Sequence, residues 1–343
     1  MKVMIGVDPH KGSHTATMLD GSEHELKRIK VRAGQRQVVE LLEWVEGVKP
    51  RTWAVESAGG MGYLLSQQLV AAGETVLNVP ATLASRVRVL STGQSAKSDP
   101  NDAHSVAVAA LRAPSLAPVQ PADHVTVCRL LVKHHNDLAR WRNKLCCRLH
   151  ALVGELVPGG IDKEVVVNQA RSLLESIEPD DVAAVERHRQ AVELIAELEH
   201  LDVVLRDSRA RITTAVTASA TTLTEIFGVG PIVAGMLIGY TGDPTRFETA
   251  SRFAAYTGTA PIEFSSGGRV THRLSRRGNR RLNHALHIAA ITQIRYQHSP
   301  GRHYYDRKLA EGKTPREAIR ALKRRLSDLV WRHLVADARR VTN

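Results

Sequence analysis

The chain has 343 residues, 43% of them hydrophobic, and carries 47 lysines and arginines against 35 aspartates and glutamates, a formal charge of +12. That length suffices for two domains or slightly more, each with its own core. Cys128, Cys146 and Cys147 form no C-x-x-C pair and have no histidine nearby at zinc-ligand spacing, and no apolar run approaches the roughly 18 residues of a bilayer span, which argues against disulfide scaffolds, zinc modules and membrane proteins. The expectation is a soluble protein of a reducing cytoplasm, with no membrane association.

In chain order, Lys2 to Val7 is a short apolar run of strand type, and His14 to Leu19 and Glu23 to Val31 follow as two more, linked tightly enough for an antiparallel meander. Val38, Val39, Leu41, Leu42 and Val45 then take helical spacing. The strand Thr52 to Val55 leads into Glu56 and a glycine-rich turn, and a helix (Tyr63 to Ala72) and a strand (Thr75 to Val79) close at Pro80. The order β-β-β-α-β-α-β-α is that of the ribonuclease H-like fold. In that topology the first and fourth strands lie side by side in parallel, so Asp8 and Glu56 end neighbouring strands at one rim. Asp99 and Asp102, three apart in AKSDPNDAHSVAVAAL, share a helix face. Four carboxylates brought together this way suit a hard divalent cation held by oxygen. Asp99, Pro100 and Asp102 are equally good as an N-cap, an N1 proline and a first-turn acid, and Asp8 before Pro9 also reads as a strand-end turn.

From about Pro121 to Ser219 the chain turns to long helices. Ala191, Leu194, Leu198, Leu201, Leu205, Ser208 and Ile212 form a three-four seam, whose partner is either Val125 to Val157 of the same chain or the same segment of a second molecule. Val157 to Gly160 is the expected hairpin tip. Leu223 to Ala234 then passes through Gly228-Val229-Gly230, which looks like a helix-hairpin-helix whose glycines let backbone N–H groups approach a phosphate. Beyond it, Ser265-Ser266-Gly267-Gly268 stands before Arg269, Arg273, Arg276, Arg277, Arg280 and Arg281. A small hydroxyl beside guanidinium groups is what a serine nucleophile at a phosphodiester needs, though serine and glycine are also ordinary loop residues. From Arg269 onward 19 basic and five acidic residues give +14, so everything before sums to −2. Such lopsidedness is the footprint of a surface that follows a polyanion. With 4% aromatic residues, stacking on single strands is not indicated.

Taken together, G-V-D-P-H-K at Gly6 to Lys11, V-E-S-A-G at Val55 to Gly59, K-S-D-P-N-D-A at Lys97 to Ala103, then G-V-G-P-I, F-A-A-Y-T-G-T-A-P, S-S-G-G and S-R-R-G-N-R-R-L at Ser275 to Leu282 resemble the DEDD transposases of the insertion-sequence-110 family, which include the Piv-type DNA invertases. The resemblance spans nearly the whole chain. It implies an N-terminal RuvC-like (RNase H-like) domain at 1–115 with the tetrad Asp8, Glu56, Asp99 and Asp102 holding Mg²⁺, or Mn²⁺ in its place. A helical coiled-coil region at 116–220 and a basic, mainly α transposase domain at 221–343 follow. The nucleophile carried over by position is Ser266, with Ser265 the second choice. The family further implies a bridge RNA, made from the element's own end, that pairs with donor and target double-stranded DNA.

Arg269, Arg273, Arg276, Arg277, Arg280, Arg281, Gly228 and Gly230 are the expected nucleic-acid contacts. No G-x-x-x-x-G-K-[ST] loop is present, in keeping with an exchange through phosphoserine that needs no nucleotide cofactor. Tetrad and serine lie more than 150 residues apart, which leads to the expectation of a homo-oligomer, a dimer or a tetramer on DNA. The rival from the hydrolases is a RuvC-like junction resolvase with water as nucleophile.

Overall fold

The computed structural model describes residues 3–92, 99–113, 116–161, 167–266, 269–273 and 278–342, with the side chains of 91–99, 262–277 and 341–343 left out. The chain folds as two compact units, residues 1–122 and 123–343.

The first unit is a five-stranded sheet in the order β3-β2-β1-β4-β5, built from β1 (Val3–Pro9), β2 (Ser13–Leu19), β3 (Glu25–Arg32), β4 (Arg51–Glu56) and β5 (Val76–Val79). The β1–β2 and β2–β3 pairs are antiparallel, and β1–β4 and β4–β5 are parallel. This is the ribonuclease H-like arrangement that the element order predicts. β1 is buried along its whole length, as a central strand covered on both faces must be, whereas β3 is an exposed edge studded with Lys27, Arg28, Lys30 and Arg32 that discourage further strand pairing.

Alternation along the strands sorts the side chains into two layers. Ile5, Val7, Trp53 and Val55 pack with α1 (Gln37–Trp44) and α2 (Tyr63–Ala71), through Leu41, Leu65 and Leu69. On the other face, Met4 and Ala54 pack with α3 (Ala81–Thr92) and α4 (Asp99–Arg112), through Ala84, Val106 and Ala107. The sequence expectation omits α3: β5 is followed by two helices. Arg51 and the indole N–H of Trp53 both donate to Glu74, at 2.9 Å and 2.7 Å to the same carboxylate oxygen. This half-buried network ties the start of β4 to the turn before β5.

The second unit is mostly helical. α5 (His124–Leu156) and α7 (Val182–Ala218) begin at the side-chain caps Asp123 and Asp181, and α6 (Val167–Glu175) lies between them in the chain. The predicted hairpin tip is therefore a longer connection. Leu145, Leu149 and Val153 of α5 and Ala170 and Leu174 of α6 meet Ala191, Leu194, Leu198 and Leu201 of α7 in one core. The seam is thus filled within a single chain.

At their other ends α5 and α7 join a different core. Cys128, Val132, Ile212 and Val216 pack with α8 (Pro231–Thr241), α10 (Arg280–Arg295) and α12 (Pro315–Thr342). Shared burial of this kind is why residues on either side of position 221 fall into one unit. α9 (Ala250–Tyr256) and α11 (Pro300–Ala310) complete the helices, capped by Thr249 and Ser299.

Two local expectations are corrected. The first helix of the anticipated helix-hairpin-helix is a single 3₁₀ turn, Leu223–Glu225. The serine-bearing loop is a hairpin of β6 (Ile262–Ser266) and β7 (Arg269–Arg273), pairing Phe264 with Thr271 and Ser266 with Arg269. Alternating Ile262 and Phe264 set a strand period.

Candidate functional site

Val7 of β1 lies opposite Val55 of β4 in the parallel pair, so Asp8 and Glu56 each stand one residue further along, at the carboxyl rim. They share strand parity with Met4 and Ala54 and so belong to the layer of α3 and α4. The chain then leaves β4 abruptly: Ser57 adopts a left-handed φ of 48°, held by its N–H donating to Val79 O at 2.9 Å and by the Ala58 N–H donating to Asn78 Oδ1 at 2.9 Å. A strained non-glycine residue directly after a carboxylate is a feature of functional sites.

Asp102 arrives from the first turn of α4, which lies across β1. Asp8, Glu56 and Asp102 line one cavity of about 240 Å³ with His10, Ser85, Arg88 and Ser105. Asp8 and Asp102 are buried. The Arg88 guanidinium of α3 donates to Asp102, and His10 Nδ1 lies 3.5 Å from Asp8 Oδ2. Three of the four sequence-expected carboxylates are therefore neighbours. Asp99 opens α4, and its side chain lies outside the described residues.

Among the described residues no group of three His, Cys, Asp or Glu is close enough to hold a metal ion. The donor chemistry nonetheless fits a hard divalent cation: the acidic groups lining the cavity offer only oxygen. Arg88 escaped the sequence analysis because α3 did. Its signal was Leu83, Val87 and Leu90 at three-four spacing after Pro80.

The sequence-expected nucleic-acid residues belong to the second unit. Arg280 and Arg281 are exposed in the first turn of α10, whose N-cap Asn279 accepts from the Arg281 and Leu282 N–H groups. Gly230 is exposed at the N-cap of α8, with open space around it. Gly228, at φ 81°, serves packing: a Cβ there would stand 2.9 Å from Ala289 O of α10. Ser266 and Arg269 face each other across the hairpin and Ser265 precedes them, with Arg273 at the far end of β7. Their side chains, and the whole of Arg276 and Arg277, lie outside the described residues.

Family models and relatives bear on this arrangement. A model of DEDD transposases of the IS110 type matches residues 5–158, and one described as the transposase IS116/IS110/IS902 family matches 220–306. The uncharacterized protein of insertion element IS116 from Streptomyces clavuligerus is 28% identical, over 96% of this chain and 94% of its own. That of IS900 from Mycobacterium paratuberculosis is also 28% identical, over the same shares. A probable family 20 transposase from Pseudomonas aeruginosa is 28% identical over 85% of this chain and 84% of its own. Among solved structures, Thermus thermophilus RuvC is 18% identical, matching 34% of this chain and 99% of that chain with a TM-score of 0.27. On the two family models and the near full-length relatives, the chain belongs to the IS110 family of DEDD transposases.

Proposed function

We propose that this transposase cuts and rejoins DNA at the carboxylate cavity through a covalent serine intermediate, guided by an RNA from its own element. The single observation that carries the reading is the convergence of Asp8, Glu56 and Asp102 on one cavity. These carboxylates, with Asp99, would hold a divalent cation, Mg²⁺ or Mn²⁺. When bound, the ion supplies charge neutralisation at the scissile phosphate and favours ionisation of the attacking hydroxyl.

The chain's own residues do the rest. Ser266 Oγ, or Ser265 Oγ as second choice, attacks phosphorus. A Ser–O–P bond forms as the P–O3′ bond breaks, the serine proton is taken up by the surroundings, and the departing oxygen leaves as a 3′-hydroxyl once protonated. After strands exchange, the 3′-hydroxyl of the partner end attacks the phosphoserine, restoring the phosphodiester and the serine. One diester bond replaces another throughout, so no nucleotide cofactor is consumed. Arg269, Arg273, Arg276, Arg277, Arg280 and Arg281 hold backbone phosphates. The carboxylates and the serine belong to different units, and we take the working form to be a homo-oligomer, a dimer or a tetramer on donor and target duplexes. Oligomerisation rests on that separation alone, because the α5–α7 seam is filled within one chain.

The test is a denaturing-gel assay on DNA carrying the element's ends, with the protein purified from cells that also carry its flanking DNA, followed by sequencing of the co-purifying RNA. Wild type gives a protein–DNA adduct, Ser266→Ala loses it, and Asp8→Asn loses all cleavage. Full cleavage by a variant lacking both Ser265 and Ser266 would assign the chemistry to water, as in a junction resolvase. Sequence-specific exchange by RNA-free protein would remove the guide from the reading.

A further inference from the structure

A cavity of about 320 Å³ with basic lining lies in the second unit. It is walled by Gly258–Pro261 on one side and by Lys313, Glu317, Arg320, Lys323 and Arg324 on the other. Its geometry is set from behind. The Asn283 side-chain amide on α10 donates to Thr257 O at 2.9 Å and to Gly258 O at 3.1 Å, and its Oδ1 accepts from Lys323 Nζ at 2.6 Å. The turn is thereby clamped to α10 and α12, with Gly258 at φ 68°.

Lys323 is 9% exposed, and among the described residues no carboxylate lies within ion-pair distance of it. A buried ammonium with one neutral acceptor is costly to maintain and has donors to spare. The other charges leave a positive excess: Arg324 is committed to Asp328, and Glu317 accepts from Thr314 and lies 3.8 Å from Arg320, while Lys313 is exposed at the mouth. Ala260, Pro261 and Ala321 add an apolar wall that lowers the local dielectric and strengthens the pull on an anion. Burial holds the Lys323 ammonium below the ordinary lysine pKa, a penalty that an anion in the cavity would offset.

We propose that this cavity binds a phosphodiester group of a nucleic-acid strand, with Lys323 as the inner donor and Lys313 and Arg320 at the entrance. The inference rests on the recombinase reading and adds to it a non-reacting anchor. Pro261 immediately precedes β6, so five residues of chain, roughly 17 Å when extended, separate the anchor from Ser266. A backbone held here fixes where the strand runs relative to the hairpin.

The experiment uses the full chain, fluorescein-labelled duplex DNA and fluorescein-labelled single-stranded RNA, with fluorescence anisotropy measured across a NaCl titration. Lys323→Met keeps the bulk of the stem and removes the charge. Its affinity is expected to fall by about tenfold and its salt slope by about one unit, the signature of one lost phosphate contact, with a cooperative thermal transition confirming that the variant is folded. A loss confined to duplex assigns the phosphate to DNA, a loss confined to RNA assigns it to the guide, and a loss on both means a shared site. Should Lys323→Met fail to fold, the exposed pair Lys313→Gln/Arg320→Gln must give the same loss. Tight wild-type binding with unchanged affinity and slope in a folded variant overturns this inference alone. Absence of wild-type binding to either nucleic acid overturns it together with the reading beneath it.

Discussion

Gly6 of β1 touches the backbone of α4 at Ala103: a Cβ built on the glycine would stand 2.2 Å from the Ala103 carbonyl oxygen and 2.5 Å from the Ala107 nitrogen. Only a residue without a side chain lets the helix lie this low on the strand. The close approach brings Asp102, one residue before Ala103, into the cavity lined by Asp8. Gly6→Ala should therefore lift α4, lowering unfolding stability by about 1–3 kcal/mol and reducing cleavage well beyond what the lost stability explains. Urea unfolding and the adduct assay measure the two effects. An unchanged midpoint with full activity would mean that the packing tolerates the methyl group.

The Arg88 guanidinium donates to the Asp102 carboxylate. Its positive charge opposes a divalent ion in the same cavity, and the interaction of close charges in a partly buried site is worth a few kcal/mol. Arg88→Gln should tighten Mn²⁺ binding about tenfold in calorimetry, roughly 1.4 kcal/mol, and Asp102→Asn should weaken it. If Arg88→Gln instead weakens binding, the guanidinium orients the carboxylate and does not compete with the ion.

The first sheet was legible because its signals are local: apolar runs, tight links and acids at strand ends carry the topology as far as Glu56. The rim positions of Asp8 and Glu56 were legible too, since β1 and β4 end side by side once they are parallel. What escaped was set by tertiary contact. α3 has a weak amphipathic pattern, Ala-Thr-Leu-Ala-Ser-Arg-Val-Arg, and gains its definition from docking against α4. Gly228 looked like a phosphate contact, yet its glycine is required by the approach of α10, 61 residues onward. The Lys323 cavity needs Asn283 from a separate helix, and no spacing in the sequence announces that meeting.

His135 of α5 reports on the helix pair through pH. Its Nδ1 lies 3.2 Å from Ser208 Oγ of α7. Desolvation, then Arg209 and His134, hold its pKa below the ordinary imidazole value. The unfolded chain therefore binds more protons, and stability rises with pH. The contribution is fully present above the unfolded pKa of about 6.5 and is lost as pH falls through that value toward the lower folded one. His135→Gln should flatten the thermal-midpoint profile in this window while leaving a residual slope from His14 and His287, both lowered chiefly by burial. A profile identical to wild type would show that this imidazole does not sense the fold.

Leu198 decides whether the seam belongs to one chain or two. It is fully buried against α5 and α6 with Leu145, Leu149 and Leu174, and truncating a leucine so placed typically costs about 2–5 kcal/mol. Because its partners come from the same polypeptide, Leu198→Ala should lower the unfolding midpoint by an amount that does not change with protein concentration. An inter-chain seam would behave otherwise: dilution would deepen the loss, because dissociation and unfolding would then be coupled by mass action. Denaturant unfolding at two widely separated protein concentrations distinguishes the cases. Concentration-dependent destabilisation would return the α5–α7 seam to the role of subunit interface and give the proposed oligomer a contact that the single chain does not require.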